Sequence, residues 1–399
     1  MTLLENVLLQ PTRQVYNYTI VFLACCASFA SLLIGYDSAF LGGTIALPAF
    51  KHAFGNLDPN TSGNLVITYQ AGAVVGAMLA YPMGFYWGRR WALISCAMTF
   101  LIAAIVMVIA SPSTGLAPIY AGRTVAGLAI GAASNLTPLY IGEIAPTSIR
   151  GMLVGIFELG WQVGAIIGFF INYAVSIHYS NTSKEQWLIP FAVQLIPGGL
   201  FALTAPFLIE SPRWLLSKDR NDEAIARLTR IRKLPADHEY IVDEVAMMTT
   251  ALEAERADIG TSFWAPWRRI FSRQMIFRPF LSFMCFFFQN ASSINAINYY
   301  SPTILKSFGI DSLKIGLLGT GVFGILKGVA AVVWLLFLVD QWGRRKIFIA
   351  GCAGCSVFLW WISLYLNIAP AASYTRKSGD SVSPGSMATL VAFYLWTIR

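Results

Sequence analysis

Nine stretches of mostly apolar residues punctuate the chain, at roughly 19–42, 65–86, 91–110, 117–139, 152–176, 188–209, 277–300, 314–339 and 346–368. A bilayer core of about 30 Å needs about 20 apolar residues in a helix rising 1.5 Å per residue, so each stretch predicts a membrane span. A tenth begins near Ser386 and reaches Arg399 before it can cross, so the chain is expected to end inside a helix. Polar segments between spans are short, except at 210–278. The pattern predicts an all-α polytopic membrane protein of about nine full spans and part of a tenth. Its parts are an N-terminal six-helix bundle over 1–209, a charged loop with short helices over 210–276, and an incomplete C-terminal bundle over 277–399.

Composition strengthens this reading. Of the 399 residues 56% are hydrophobic and only 12% charged, about half the charged share of a soluble domain. Residues 210–278 hold 23 of the 48 charges, which leaves too few elsewhere to cover a water-facing surface. A soluble enzyme is excluded. The net charge of +8 gives no indication of nucleic acid, because the basic residues cluster at helix ends rather than on one face. Arg89 and Arg90 follow the second span, Arg150 the fourth, and Arg344, Arg345 and Lys346 the eighth. The positive-inside rule then places the N-terminus and the charged loop in the cytoplasm. Six cysteines fall in apolar runs, and Cys352-x-x-Cys355 lacks the polar partners of a redox pair or zinc site. No metal site is expected. The first apolar run is long enough to span and has no small-residue cleavage pattern, so it is not read as a signal peptide.

Gly88-Arg-Arg and Gly343-Arg-Arg close the second and eighth spans, an internal repeat that suggests a transporter built from two halves. Glycines four apart, at 72/76, 127/131 and 160/164/168, predict close helix packing. The G-x-G-x-x-G match at Gly319–Gly324 follows no strand and predicts no nucleotide site. Ionisable residues within spans are costly, about 2.5–3.5 kcal/mol each, and so point to function. Glu143 and Asp340 lie beside the arginine clusters and are expected to form ion pairs that latch the inner side. Asp37 and Arg123 come at the same outer-half depth and can pair, either as a static salt bridge or as a carboxylate that loads and releases a proton. Glu158 and Gln162 lie one turn apart on the fifth span, and Asn172 is expected to extend their stripe toward a water-filled cavity. The seventh span carries Gln289, Asn290, Ser292, Ser293, Asn295 and Asn298, too many polar groups for a lipid-facing helix. Amides that donate and accept suit a polyhydroxylated ligand. Lys327 sits near midplane depth in the eighth span, to be read as an ion-pair partner or as a counter-charge for an anionic substrate.

These residues resemble a known family. GYDSAF at 35–40, GRR at 88–90, GRTVAG at 122–127, PLYIGEIAPTSIRG at 138–151, ESPRW at 210–214, QN…IN..NYYSP at 289–302 and DQWGRR at 340–345 are similar to the sugar porter family of the major facilitator superfamily. ASNLTPLYI, FELGWQVG, QWLIPFAVQLIPGG and FQNASSINAINYYSPT look most like its fungal quinate permeases. The resemblance implies that Asp37 and Arg123 form a proton-coupling pair and that Gln289, Asn290 and Asn295 are substrate-contacting amides. Position 158, a substrate-contacting Gln in most sugar porters, is Glu here, as in the quinate-type members. Glu210 and Arg213 of ESPRW join Arg89, Arg90, Glu143, Arg150, Asp340, Arg344 and Arg345 in the inner ion-pair set. Phe85 stands where the family carries an Asp, which weakens the N-terminal copy of the latch. Against that family the rest of the tenth helix and helices 11 and 12 are missing, and poor membrane stability is expected of the chain as it stands.

The expected function is therefore proton-coupled transport of quinate or a related polyol or sugar by alternating access. Substrate contacts fall on Gln289, Asn290, Asn295, Asn298, Glu158, Gln162 and Lys327. A neutral-sugar symporter, a non-transporting nutrient sensor and an inactive product are the alternatives. No cofactor is expected beyond the coupling proton. The expected partners are a small-molecule substrate and the lipid bilayer, with no nucleic acid, and the protein is expected to act as a multi-pass monomer in the plasma membrane.

Overall fold

The computed structural model describes residues 17–55, 57–260, 262–291, 297, 299, 304–305, 313–334, 344–368 and 384–397. Its helices are α1 (Tyr18–Ala46), α2 (Pro48–Phe54), α3 (Pro59–Tyr86), α4 (Arg89–Val108), α5 (Ala117–Ile144), α6 (Arg150–His178), α7 (Glu185–Val193) and α8 (Leu195–Thr204). Four helices of the charged loop follow: α9 (Pro212–Ser217), α10 (Asn221–Arg232), α11 (Glu239–Ile259) and α12 (Ala265–Ile270). Then come α13 (Phe277–Ala291), α14 (Leu313–Val333), α15 (Arg344–Ile368) and α16 (Pro384–Thr397). No strand occurs among the described residues. Eight helical units among them are long and apolar enough to cross a membrane: α1, α3, α4, α5, α6, the α7–α8 unit, α14 and α15. The predicted seventh span is described as a helix only over Phe277–Ala291, 15 residues.

Local chemistry explains the helix ends. Asn17 caps α1 by accepting the Ile20 amide at 3.2 Å, and Pro59 opens α3, where a missing N–H costs nothing. The predicted span at 188–209 is divided near Gln194. Pro197 lacks the N–H that would bond the Val193 carbonyl four residues back, which weakens the helix at that turn.

The glycines pack as their spacing predicts. Gly72 and Gly76 of α3 lie against the backbone of Thr124 and Leu128, while Gly127 and Gly131 of α5 lie against Tyr69 and Ala73. Gly164 of α6 abuts the Leu32 carbonyl of α1, where any Cβ would collide. Small residues let these helices approach to backbone contact, which is what holds a bundle together in lipid. Gly321, Gly324 and Gly328 of α14 rest against Phe170, Phe169 and Ile166 of α6, so the G-x-G-x-x-G match is a packing surface.

The charged loop is more than a solvated linker. Arg232 at the end of α10 is fully buried. Its Nε and Nη2 donate to the two oxygens of Glu244 at 2.9 and 2.6 Å. Its Nη1 donates to the Ile144 carbonyl at 2.9 Å, satisfying an orphan acceptor at the C-terminus of α5. Asn17 Nδ2 donates to the Ile231 carbonyl at 2.8 Å, which ties the start of α1 to the same loop helix.

Candidate functional site

The Asp37 side chain of α1 and the Arg123 side chain of α5 meet inside the N-terminal bundle, both with 0% exposure. Arg123 Nη1 lies 3.0 Å from each carboxylate oxygen. Its Nε donates to the Leu65 carbonyl at 3.4 Å, and its guanidinium lies 4.3 Å from the centroid of the Tyr69 ring. Two charges removed from water persist only when each satisfies the other, and removing one partner costs about 3–5 kcal/mol. Tyr299, from the segment after α13, closes over this pair. It is buried, its hydroxyl accepts from Gln70 Nε2 at 3.2 Å, and it lies within electrostatic reach of both Asp37 and Arg123. Its backbone rests on Gly42 of α1, where a Cβ would meet the Tyr299 carbonyl. Sequence reasoning paired Asp37 with Arg123 but missed Tyr69, Gln70 and the position of Tyr299. Depth matching ranks charged groups and gives no signal for neutral ones.

A second cluster lies where α6 meets α14. Gln162 Nε2 donates to Glu158 Oε1 at 2.9 Å; Gln162 is buried and Glu158 exposed. One turn along, the Lys327 ammonium sits 3.9 Å from the centroid of the Trp161 ring, and Gly328 brings α14 down onto Ile166. Hydroxyl-binding amide and carboxylate groups thus stand beside a cation held on an aromatic face. Asn172 does not extend this stripe. Its Nδ2 donates to the Phe40 carbonyl at 2.7 Å and its Oδ1 accepts from Thr44 at 2.8 Å, so it seals the α1–α6 interface. Helical period alone places ten-residue separations on one broad side, and the nearby α1 carbonyl captures the amide.

On α13, Gln289 and Asn290 are exposed, and Asn290 Nδ2 donates to the Phe286 carbonyl at 2.9 Å. Asn295, Asn298 and Asp340 lie outside the described residues, as does the side chain of Arg344.

The inner ion-pair set divides in the structure. Arg89 forms a two-point pair with Glu143, at 2.9 and 2.6 Å, and also donates to the Gly84 carbonyl at 2.9 Å. Glu210 instead accepts the backbone amides of Arg89 and Arg90 at 2.8 and 3.2 Å, capping α4 rather than pairing with a side chain. Gly88, at φ +86°, turns those amides outward, and a Cβ there would strike the Glu210 carboxylate. Arg90 donates to the Pro206 carbonyl at 2.9 Å and lies over Trp91. Arg213 pairs with Glu255 at 3.2 Å within the loop, in the open. Arg150 and Arg345 have no carboxylate within 4.0 Å among the described residues. At Glu210 and Arg90, helix-end amides and a carbonyl take the side chains expected to pair. At Phe85, the Lys218 ammonium lies 3.8 Å from the ring centroid. Burial, together with nearby Arg89, lowers the Lys218 pKa from the usual lysine value.

Eight apolar spans among the described residues, enclosing a buried charge pair, define a multi-span membrane protein. Two solved structures share its fold: the proton:xylose symporter XylE of the major facilitator superfamily bound to 6-bromo-6-deoxy-D-glucose, and a partially occluded inward-open XylE from E. coli. They superpose with TM-scores of 0.75 and 0.74 at 24% and 23% identity. The matches cover 95% of this chain and 78% and 83% of theirs. The family described as Sugar (and other) transporter matches residues 23–398. A probable quinate permease of Aspergillus clavatus is 48% identical over 100% of this chain and 74% of its own length. The quinate permease of Emericella nidulans is 46% identical over 100% of this chain and 75% of its own length. The chain belongs to the Sugar (and other) transporter family.

Proposed function

We propose that the protein carries quinate, or a closely related hydroxylated ring acid, across the membrane together with protons. The observation that carries the reading is the polar cluster where α6 meets α14: the Lys327 ammonium stands 3.9 Å from the Trp161 ring centroid, beside the bonded Glu158–Gln162 pair. Quinate presents hydroxyls and one carboxylate. Gln162 and Glu158 offer partners for hydroxyls, and Lys327 offers a charge-assisted hydrogen bond to the carboxylate, roughly twice as strong as a neutral one. Gln289, Asn290, Asn295 and Asn298 supply further amides from the seventh span. The identity to quinate permeases of 46–48% along the whole chain supports the same substrate class.

Asp37 serves as the proton site in this reading. While ionised it is held by Arg123; protonation weakens that bond and frees the arginine, which lets the two halves move past each other in alternating access. Tyr299 and Gln70 link the pair to the half that moves. Short basic loops place the N-terminus and residues 210–276 on the cytoplasmic side, and the plasma membrane is the proposed location.

Uptake of labelled quinate and of a neutral polyol by cells expressing Lys327→Gln tests the substrate assignment. Loss of quinate uptake with polyol transport retained supports it. Equal loss of both shows that Lys327 serves the fold or the coupling, and equal retention removes it from the site.

A further inference from the structure

The end of the charged loop carries chemistry that transport does not use. From Ile259 to Arg278 there are four arginines, Arg268, Arg269, Arg273 and Arg278, and no acidic residue. Exposed aromatic side chains alternate with them: Trp264, Trp267, Phe271 and Phe277. Exposed apolar side chains gathered in one short segment and rimmed by charge mark an interaction surface.

Contacts tie this segment to the end of α3. Phe263 stacks on Tyr86 and meets Tyr81 at a tilt, with ring centroids 5.4 and 5.0 Å apart, and Tyr81 donates to the Phe263 carbonyl at 3.1 Å. Trp267 meets Tyr81 edge-on at 6.0 Å. Tyr86 is the last residue of α3, and α13 starts at Phe277. The segment thus joins the end of the apolar helix α3 to the start of α13, a position in the chain that suits headgroup depth, where tryptophan and arginine are both favoured.

A groove of about 390 Å³ opens there between the end of α11 and α12. Trp264, Arg268, Arg269, Ser262, Ser272 and Asp258 line it. Asp258 is already neutralised by Arg269, at 2.9 Å. Arg268 is exposed and has no carboxylate within 4.0 Å among the described residues. The groove thus presents one uncompensated guanidinium, two hydroxyls and an aromatic wall. We infer that this groove binds the headgroup of an anionic membrane phospholipid, with Arg268 on the phosphodiester and Trp264 and Phe271 at the boundary with the acyl chains. A planar guanidinium matches phosphate oxygens two at a time, and basic clusters directly beside a span attract anionic headgroups. The acyl chains distinguish this ligand from a soluble phosphate, because the exposed aromatics gain cover only from lipid.

The test uses the purified chain in neutral detergent, titrated with dioctanoyl-phosphatidylinositol and followed by native mass spectrometry. Dioctanoyl-phosphatidylcholine and inorganic phosphate serve as comparison probes. Phosphatidylinositol should be retained in preference to phosphatidylcholine, more weakly as salt rises. Arg268→Gln should weaken it about tenfold, the scale of one lost charge-assisted contact, and Trp264→Ala should weaken it too. Lys184→Gln, an exposed cation in the loop before α7, should leave retention unchanged. Arg268 is exposed, so melting of the lipid-free variant should match wild type. Equal retention of the two lipids, an unaffected Arg268→Gln, or competition by inorganic phosphate at matched concentration would overturn the proposal.

Discussion

Gln70 on α3 donates to the hydroxyl of Tyr299 at 3.2 Å, directly beside the buried Asp37–Arg123 pair. A residue from the chain beyond α13 is thereby bonded to the N-terminal bundle at its most heavily charged interior point. Tyr299→Phe keeps the ring and removes the hydroxyl, so its ties to Gln70 and to Arg123 are lost together. Uptake by Tyr299→Phe should fall several-fold at acidic pH with surface abundance unchanged, and Gln70→Leu should do the same. Normal uptake in both would show that the bond has no part in transport.

Asp37→Asn tests coupling separately from movement. An amide cannot cycle a proton, yet it fits the same space. Accumulation against a gradient at acidic pH should be lost, while exchange of substrate across the membrane should survive better. Uphill uptake equal to wild type would remove Asp37 from the coupling step.

The Arg89–Glu143 pair is mostly buried, at 16% and 7% exposure, whereas Arg213–Glu255 is about half exposed on both sides. Screening and side-chain entropy leave exposed pairs worth under about 1 kcal/mol. Losing a buried charged partner costs about 2 kcal/mol or more. Glu143→Gln should therefore lower the melting temperature of the purified protein clearly more than Glu255→Gln does. Equal shifts would contradict the difference in burial.

Gly164 offers a packing test. A side chain there must displace the Leu32 carbonyl of α1, whereas Gly142 has open space around its missing Cβ. Gly164→Val should abolish folded protein in the membrane, and Gly142→Ala should be tolerated, as detergent-resistant monomer on size-exclusion chromatography would report.

Much of this arrangement was legible from residues because membranes make polar exceptions expensive. A charge inside an apolar span needs a partner, so Asp37 and Arg123 found each other on depth alone, and Glu143 found Arg89. Glycines four apart announced close packing, and the structure supplies the partners, α3 with α5 and α1 with α6. Glu210 was misread because a carboxylate beside two arginines suggests side-chain pairing, while the amides freed by Gly88 are nearer. That glycine, immediately before a helix, was the available signal. Arg232 gave none: a loop of mixed charge reads as solvated, and only the fold shows that one arginine reaches back to the end of α5. Asn172 was placed on the wrong side because helical period fixes a direction but not the neighbour that waits there.

Reconstitution into vesicles separates proton-coupled from passive movement of quinate. With the interior buffered at pH 7.5 and the exterior at pH 5.5, labelled quinate should accumulate inside above its external concentration. A protonophore should collapse the gradient of quinate, and Asp37→Asn vesicles should equilibrate without accumulating. Accumulation that ignores the protonophore would contradict the coupling, and entry of a neutral hexose in place of quinate would contradict the substrate.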